Sequence, residues 1–448
     1  EIFLCQDVGL CAPNLNEAYV SQYLDHRAVE EENGFHIITK QNQWPDLILR
    51  QGSLTGADSY ATDGFDFFGT EYKLTNVPRA LRTGKLPSRV YQYEFAYAAL
   101  KTAPAPLDEG LRAVFYGAAR EGDAAASLAE IKNAYAALSI GKFIEKLSLK
   151  PLISWQEPYP YYPFTREELD RFFPGRDLEE VSEEKTLSWF TEDGAHYMTG
   201  DKEELTERPA GHIIATRAFG PASDRLIAST NYIYGVFNSL LSFGNTQFNR
   251  LLTYKKTPLN ILKTSGQRLF VKIDGAYRLL ALPAVYRVAV NSAAWYYKIA
   301  DDVLVIETAA AANAPRVALS VRSLKGRAYD FIFTSELSLG EIEGVYPVEY
   351  EISGTAVAFR FPKAALAGKI YPEYSFRMEL NATGNVRFYG DEIFFPDERV
   401  GSPVLAARIA GAAGFSAEIK GVIGADAVEA GAGSDIDAMR AEYEKLHR

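Results

Sequence analysis

From residue 269 to residue 388 apolar and polar positions alternate with a period of two. Leu269, Val271 and Ile273 run into Asp274-Gly275, after which Tyr277, Leu279 and Leu280 resume the pattern. Asp-Gly supplies the two positive φ angles of a type I′ turn, so the spacing predicts a tight hairpin. The alternation returns from Leu304 to Ile306, at Val317-Leu319-Val321, and at Tyr329-Phe331-Phe333 across Lys325-Gly326. It returns again at Val348-Tyr350-Ile352, Val357-Phe359-Phe361, Phe376-Met378-Leu380 and Val386-Phe388. Short alternating strands separated by Gly and Pro turns predict an antiparallel sandwich, because a period of two buries one face on a partner sheet.

The first half mixes strands with helices. Tyr91-Tyr93-Phe95 and Val114-Phe115-Tyr116 read as strands; from Asp123 the chain turns Ala-rich, with Leu128, Ile131, Tyr135 and Leu138 on one helical face. Thr165 and Glu168 form a capping box for a short helix that stops at Pro174-Gly175. A Gly/Ala-rich stretch from Gly411 to Gly433 leads to a last helix, capped by Ser434 and Asp437, whose stripe of Ile436, Met439, Tyr443 and Leu446 needs a partner surface. The fold class expected is mainly β: a large antiparallel β-sandwich (super-sandwich) region with a few helices and a C-terminal linker helix. The division expected is a β-rich domain over 1–208 with helical and acidic insertions, a sandwich domain over 209–425, and the start of a helical linker over 426–448.

Composition sharpens this in two ways. The 448 residues hold 47 basic and 58 acidic side chains, a net charge of −11, and residues 166–208 alone carry −8 of it. That balance argues against general nucleic-acid binding, which requires a basic face, and the acidic stretch reads as a solvated insertion. Aromatic residues reach 13%, with 27 Tyr and 26 Phe, which favours strands and large interfaces. Cys5 and Cys11 lack the C-x-x-C spacing of zinc or redox sites and read as idle thiols. No stretch approaches eighteen consecutive apolar residues and no secretion signal is visible, so no membrane is expected and the location expected is cytoplasmic.

Catalytic spacings are missing. There is no phosphate-cradling P-loop, no G-x-S-x-G elbow and no H-E-x-x-H helix, and the five histidines stand singly, so neither a metal nor a cofactor is expected. Two constellations remain. The run Trp155-Gln156-Glu157-Pro158-Tyr159-Pro160-Tyr161-Tyr162-Pro163-Phe164 offers aromatic faces for stacking on sugar rings, with amide and carboxylate groups for hydroxyls. The plainer reading is a proline-stiffened connector whose rings pack on neighbouring sheets. Lys73, Arg79, Arg82, Lys85 and Arg89, with no acid between Tyr72 and Tyr93, suit an anionic ligand or a solvated, internally paired loop.

Several further segments are distinctive together. They are Phe67-Phe68-Gly69-Thr70-Glu71-Tyr72-Lys73-Leu74-Thr75-Asn76-Val77-Pro78-Arg79-Ala80-Leu81, Leu86-Pro87-Ser88-Arg89-Val90-Tyr91-Gln92-Tyr93, the run from Ser229 to Ser239, Gly244-Asn245-Thr246 and Thr257-Pro258-Leu259-Asn260-Ile261-Leu262. They resemble the N-terminal region of the glycoside phosphorylases of glycoside hydrolase family 94, and within it the enzymes acting on β-1,2-linked glucooligosaccharides. The resemblance implies a β-sandwich region, a helical linker and an (α/α)6 catalytic barrel that holds the catalytic Asp and the phosphate-binding residues. No catalytic residue is therefore expected in this chain, which alone should be inactive.

It also implies inverting phosphorolysis, with inorganic phosphate as co-substrate and glucose 1-phosphate as product. The partners it implies are a β-glucooligosaccharide, a catalytic barrel in the same or a companion chain, and a second copy in a homodimer. The sugar contacts expected are Trp155, Tyr159 and Tyr161, then Asn231, Asn238 and Asn245, whose amides suit hydroxyls but serve turns and strand ends equally well. A stand-alone carbohydrate-binding or structural sandwich without catalysis is the alternative.

Overall fold

The computed structural model describes residues 1–10, 24–42, 46–72, 77–91, 96–106, 112–138, 158–206, 211–215, 227–238, 240–243, 266–312, 314–337, 349–394, 404–423 and 435–447. The chain is mainly β and forms two compact units, Glu1–Lys150 and Pro151–Arg448.

In the first unit a three-stranded sheet (Phe3–Asp7, Ala96–Lys101, Ser59–Asp63) faces a four-stranded one (Leu24–Glu31, Gly34–Gln41, Leu47–Ser53, Phe115–Glu121). Val8, Leu24, Ile37, Tyr60, Ala98 and Leu100 fill the space between them. The expected helix is Leu128–Ala137, started by a capping box in which Ser127 and Glu130 satisfy each other's backbone N–H groups. Its Leu128 and Ile131 are buried, whereas Leu138 lies beyond its end, 64% exposed. Strand Ala96–Lys101 begins one residue after the Tyr91-Tyr93-Phe95 pattern, of which residues 92–95 lie outside the described residues.

The second unit is built on an eleven-stranded antiparallel sheet. Its order runs from Glu349–Ser353 through Ala356–Arg360, Tyr374–Ala382, Gly414–Ile423, Arg316–Ser323, Asp302–Ala310, Ser292–Ile299, Val285–Val288, His196–Thr199 and Lys185–Phe190 to Asp177–Ser182. A five-stranded sheet packs on it, with the Phe415 ring 5.6 Å from both Phe331 and Phe333 across the interface. The Asp274-Gly275 hairpin forms as expected, with φ of 50° and 83°. At Lys325-Gly326 the outcome differs. Arg316–Ser323 stays in the large sheet while Tyr329–Glu336 joins the five-stranded one, so this turn carries the chain from one layer to the other.

The two compact units divide at Lys150/Pro151, and the acidic stretch is structure rather than a solvated insertion. Asp177–Ser182, Lys185–Phe190 and His196–Thr199 complete the large sheet, and His196–Thr199 pairs with Val285–Val288. Some of its charges pair locally: Arg166 and Arg176 both meet Glu179, and Lys202 meets Glu180. The last helix, Ile436–His447, is capped by Asp435, whose Oδ1 accepts from Ala438 N at 3.1 Å; Ser434 lies outside the described residues. The first turn of its stripe is covered: Ile436 and Met439 are buried against Ala309, Ala311 and Ala318, small side chains that admit the helix closely, and Tyr443 is half-buried.

Candidate functional site: the tyrosine strap and its pocket

The aromatic run crosses the surface of the second unit as a strap. Pro158, Pro160 and Pro163 have no N–H to donate, so few backbone bonds can hold it. One does: Tyr159 N donates to Leu279 O at 2.7 Å, tying the strap to the hairpin strand of the five-stranded sheet. The Tyr159 ring is buried, 5.6 Å from that of Tyr162, and burial pushes its phenol up to about 12.

Tyr161 lies across Gly200. A Cβ there would fall 2.3 Å from the Tyr161 ring and 2.9 Å from Pro283 O, so only glycine lets the strap close on the sheet. The Tyr161 hydroxyl donates to Asp201 Oδ2 at 3.1 Å, and Lys185 Nζ donates to Asp201 Oδ1 at 2.8 Å. Desolvation, with the Asp201 carboxylate beside it, raises the Tyr161 phenol far above its usual range, so it stays a neutral donor. Asp201 itself opens the helix Gly200–Leu205, a favourable position for a carboxylate.

Behind Tyr161 is a cavity of about 200 Å³, lined also by Pro163, Phe164, Arg166, Lys185, Thr186 and Thr199. Arg166 Nη1 donates to Glu179 Oε1 at 2.5 Å and to Thr186 Oγ1 at 2.9 Å. This setting offers hydroxyls, cations and ring edges, the groups that hold a hydroxylated molecule. Its lining acids are Glu184 and Asp201, and Asp201 is tied to Lys185. No group of three or more His, Cys, Asp or Glu able to hold a metal occurs among the described residues.

The other expected residues lie elsewhere. Asn231, on strand Ile227–Tyr232, is buried at 2% exposure, its Oδ1 without a hydrogen-bond partner among the described residues, and it does not line the Tyr161 cavity. Asn238 ends the short 3-10 turn Val236–Asn238, and Trp155 and Asn245 lie outside the described residues. Asp201, Lys185 and Arg166 escaped the sequence reading because they fall in the stretch taken as solvated. The signal available was Thr199-Gly200-Asp201, a small residue and a carboxylate opening a helix.

The basic cluster is internally paired. Glu71 takes Arg79 at 3.0 and 2.8 Å and Arg82 at 2.7 Å, and Asp66 takes Arg89 at 2.6 and 3.1 Å. The Arg79 hydrogen bonds hold the Glu71 carboxyl down to about 2. Both acids precede the acid-free interval; Lys73 lies outside the described residues. Cys5 is free, its thiol pushed up to about 12 by burial, and Cys11 is outside the described residues.

Comparison with known proteins agrees with this architecture. Residues 173–421 match the glycoside phosphorylase supersandwich domain, and residues 1–117 match the SOGP N-terminal domain. The chain belongs to the glycoside phosphorylase family that carries this supersandwich. A 1,2-β-oligoglucan phosphorylase from Listeria innocua is 34% identical over 428 residues, which cover 90% of this chain and 37% of that protein. The chain thus spans little more than a third of that relative's length. The crystal structure of the 4-α-glucanotransferase of Thermococcus litoralis aligns with 49% of this chain and 40% of its own, at 10% identity and a TM-score of 0.26, too low to bear on the fold. No helix among the described residues is long and apolar enough to cross a membrane.

Proposed function

We propose that this chain supplies the non-catalytic supersandwich region of a cytoplasmic, inverting glycoside phosphorylase acting on β-1,2-linked glucooligosaccharides, shaping its substrate site and its homodimer. The observation that carries the reading is the 34% identity to a 1,2-β-oligoglucan phosphorylase across nearly the whole chain. In the reaction an oxygen of inorganic phosphate bonds to the anomeric carbon as the glycosidic bond breaks. A carboxylic acid protonates the leaving oxygen, giving glucose 1-phosphate and a shortened chain. Phosphate is the co-substrate and no cofactor is needed. The acid belongs to an (α/α)6 barrel in the same or a companion chain. Tyr159 and Tyr161, with Trp155 and the asparagines 231, 238 and 245, are the residues proposed to meet sugar from this side.

The test is reconstitution. This chain mixed with a separately produced, folded barrel partner should release glucose 1-phosphate from β-1,2-glucooligosaccharide in the presence of phosphate, and neither part alone should. Silence from the mixture would reject the reading in favour of a stand-alone carbohydrate-binding or structural sandwich.

A further inference from the structure

The helix Arg166–Phe172 separates the Tyr161 cavity from a second, larger depression. This is an open groove of about 660 Å³, lined by the aromatic Phe172, Phe173 and Tyr197 with Pro174 and Gly175, and by the polar Thr191, Glu192 and Asp193. Ligand sites commonly measure roughly 300–1,000 Å³.

The aromatic lining is fixed before any ligand arrives. The Phe173 ring is 5.5 Å from both Trp189 and Tyr197, which stack at 5.1 Å and 11°. Leu169, Phe173, Trp189 and Val285 are buried together in one cluster, so the exposed parts of Phe172 and Tyr197 are backed by solid core. The turn after the helix is held by Arg176, whose Nη1 donates to Phe173 O at 3.0 Å.

The polar lining is equally fixed. Thr191 N donates to Ala195 O at 3.0 Å and Gly194 N to Thr191 O at 2.8 Å, closing a tight turn. Asp193 Oδ1 accepts from the Thr191 hydroxyl at 2.5 Å and from Ala195 N at 3.3 Å. Those bonds hold the Asp193 carboxyl below its ordinary value, with Arg287 and Arg440 adding at longer range, so it is ionised at neutral pH. Its Oδ2 and the whole Glu192 carboxylate take no hydrogen bond or ion pair among the described residues.

Aromatic rings together with uncommitted acceptors are the chemistry of a polyol. Ring faces cover the C–H side of a pyranose, and carboxylates accept from vicinal hydroxyls. No lysine or arginine lines the groove, whereas Glu192 and Asp193 do, and the Arg171 guanidinium is engaged over the Phe172 ring at 4.5 Å, so a phosphate or sugar phosphate is disfavoured. We propose that this groove is an accessory docking site for a neutral glucooligosaccharide, apart from the Tyr161 cavity and separate from the chemistry. It rests on the functional reading above for the identity of the sugar, and it gives the region a means of holding a chain while its end is processed elsewhere.

Calorimetric titration of the 448-residue chain with a β-1,2-linked glucotetraose tests it. Binding is expected at millimolar sugar or tighter, with none for inorganic phosphate. Phe172→Ala and Glu192→Ala, the latter at an exposed position, should each weaken binding tenfold or more, with the thermal melt of Glu192→Ala unchanged. Absence of sugar binding, binding of phosphate in its place, or binding indifferent to both groove variants would overturn the proposal. Because this readout needs no turnover, it can fail while reconstituted phosphorolysis succeeds, and the reverse.

Discussion

Tyr116 and His36 meet directly above Gly52, with the tyrosine oxygen 2.8 Å from His36 Nδ1. Arg50 Nε donates to the same tyrosine oxygen at 3.1 Å, and Arg50 Nη2 pairs with Glu31 at 2.8 Å. The intervening strand makes room by carrying no side chain where the two rings converge. An added Cβ at Gly52 would lie 2.1 Å from His36 Nδ1 and 2.6 Å from the Tyr116 oxygen.

Gly52→Ala should therefore destabilise the first unit by overpacking, by about 2–3 kcal/mol. Urea unfolding followed by circular dichroism measures this. An unchanged midpoint would show that the rings can part without loss.

Acid should weaken the same unit through buried imidazoles. Desolvation lowers His26 from 6.5 to about 4, with Asp25 opposing, while Thr39 hydrogen-bonds its Nδ1 at 2.9 Å; His36 is lowered too, by burial and then Arg50. Between those values the unfolded chain binds a proton that the folded chain refuses. Stability is thus complete above pH 6.5 and declines as pH falls toward 4, by up to about 3 kcal/mol for His26. Unfolding midpoints at pH 7.5 and 4.5 should differ accordingly, and His26→Gln should flatten part of the slope.

Removing the Tyr161 hydroxyl strips Asp201 of one of its two side-chain partners, Tyr161 and Lys185, without changing ring packing. Tyr161→Phe should cost about 1.5 kcal/mol, the range for a hydrogen bond to a charged group. A melt within experimental scatter of the parent would place that bond in solvent exchange.

Ile436, Met439 and one amide tie the last helix to the large sheet. Asn291 Nδ2 donates to Ala310 O at 3.0 Å and to Met439 O at 3.2 Å, joining sheet to helix. Met439→Ala should cost roughly 2–4 kcal/mol and make the helix the first site of limited proteolysis. Equal cleavage rates for variant and parent would count against that docking.

Strands such as Ala356–Arg360 and Tyr374–Ala382 were legible from periodicity because one face is more buried than the other; the partner sheet was not. Arg316–Ser323 and Tyr329–Glu336 carry the same alternation and a turn-forming glycine between them, yet they lie in different layers. A period of two specifies a face, and the long-range pairing that decides the sheet leaves no local mark. The Tyr161 site was half legible for a similar reason. Its aromatic half is contiguous in sequence, whereas Lys185 and Asp201 arrive from strands and a helix whose charge density resembles solvated loop.

The two outer strands of the large sheet share a property. Asp177–Ser182 carries Asp177, Glu179 and Glu180 and is interrupted by two register shifts; Glu349–Ser353 carries Glu349 and Glu351 and is exposed along its length. Among the described residues each of these strands has a neighbour on one side only, and a free strand edge is a template for a strand from another molecule. Irregular register at one margin and carboxylates unpaired among the described residues at the other make such growth unfavourable. Part of the chain's negative charge thus works against strand addition, and neutralising Glu349 and Glu351 together would make that margin more receptive to a strand from another copy.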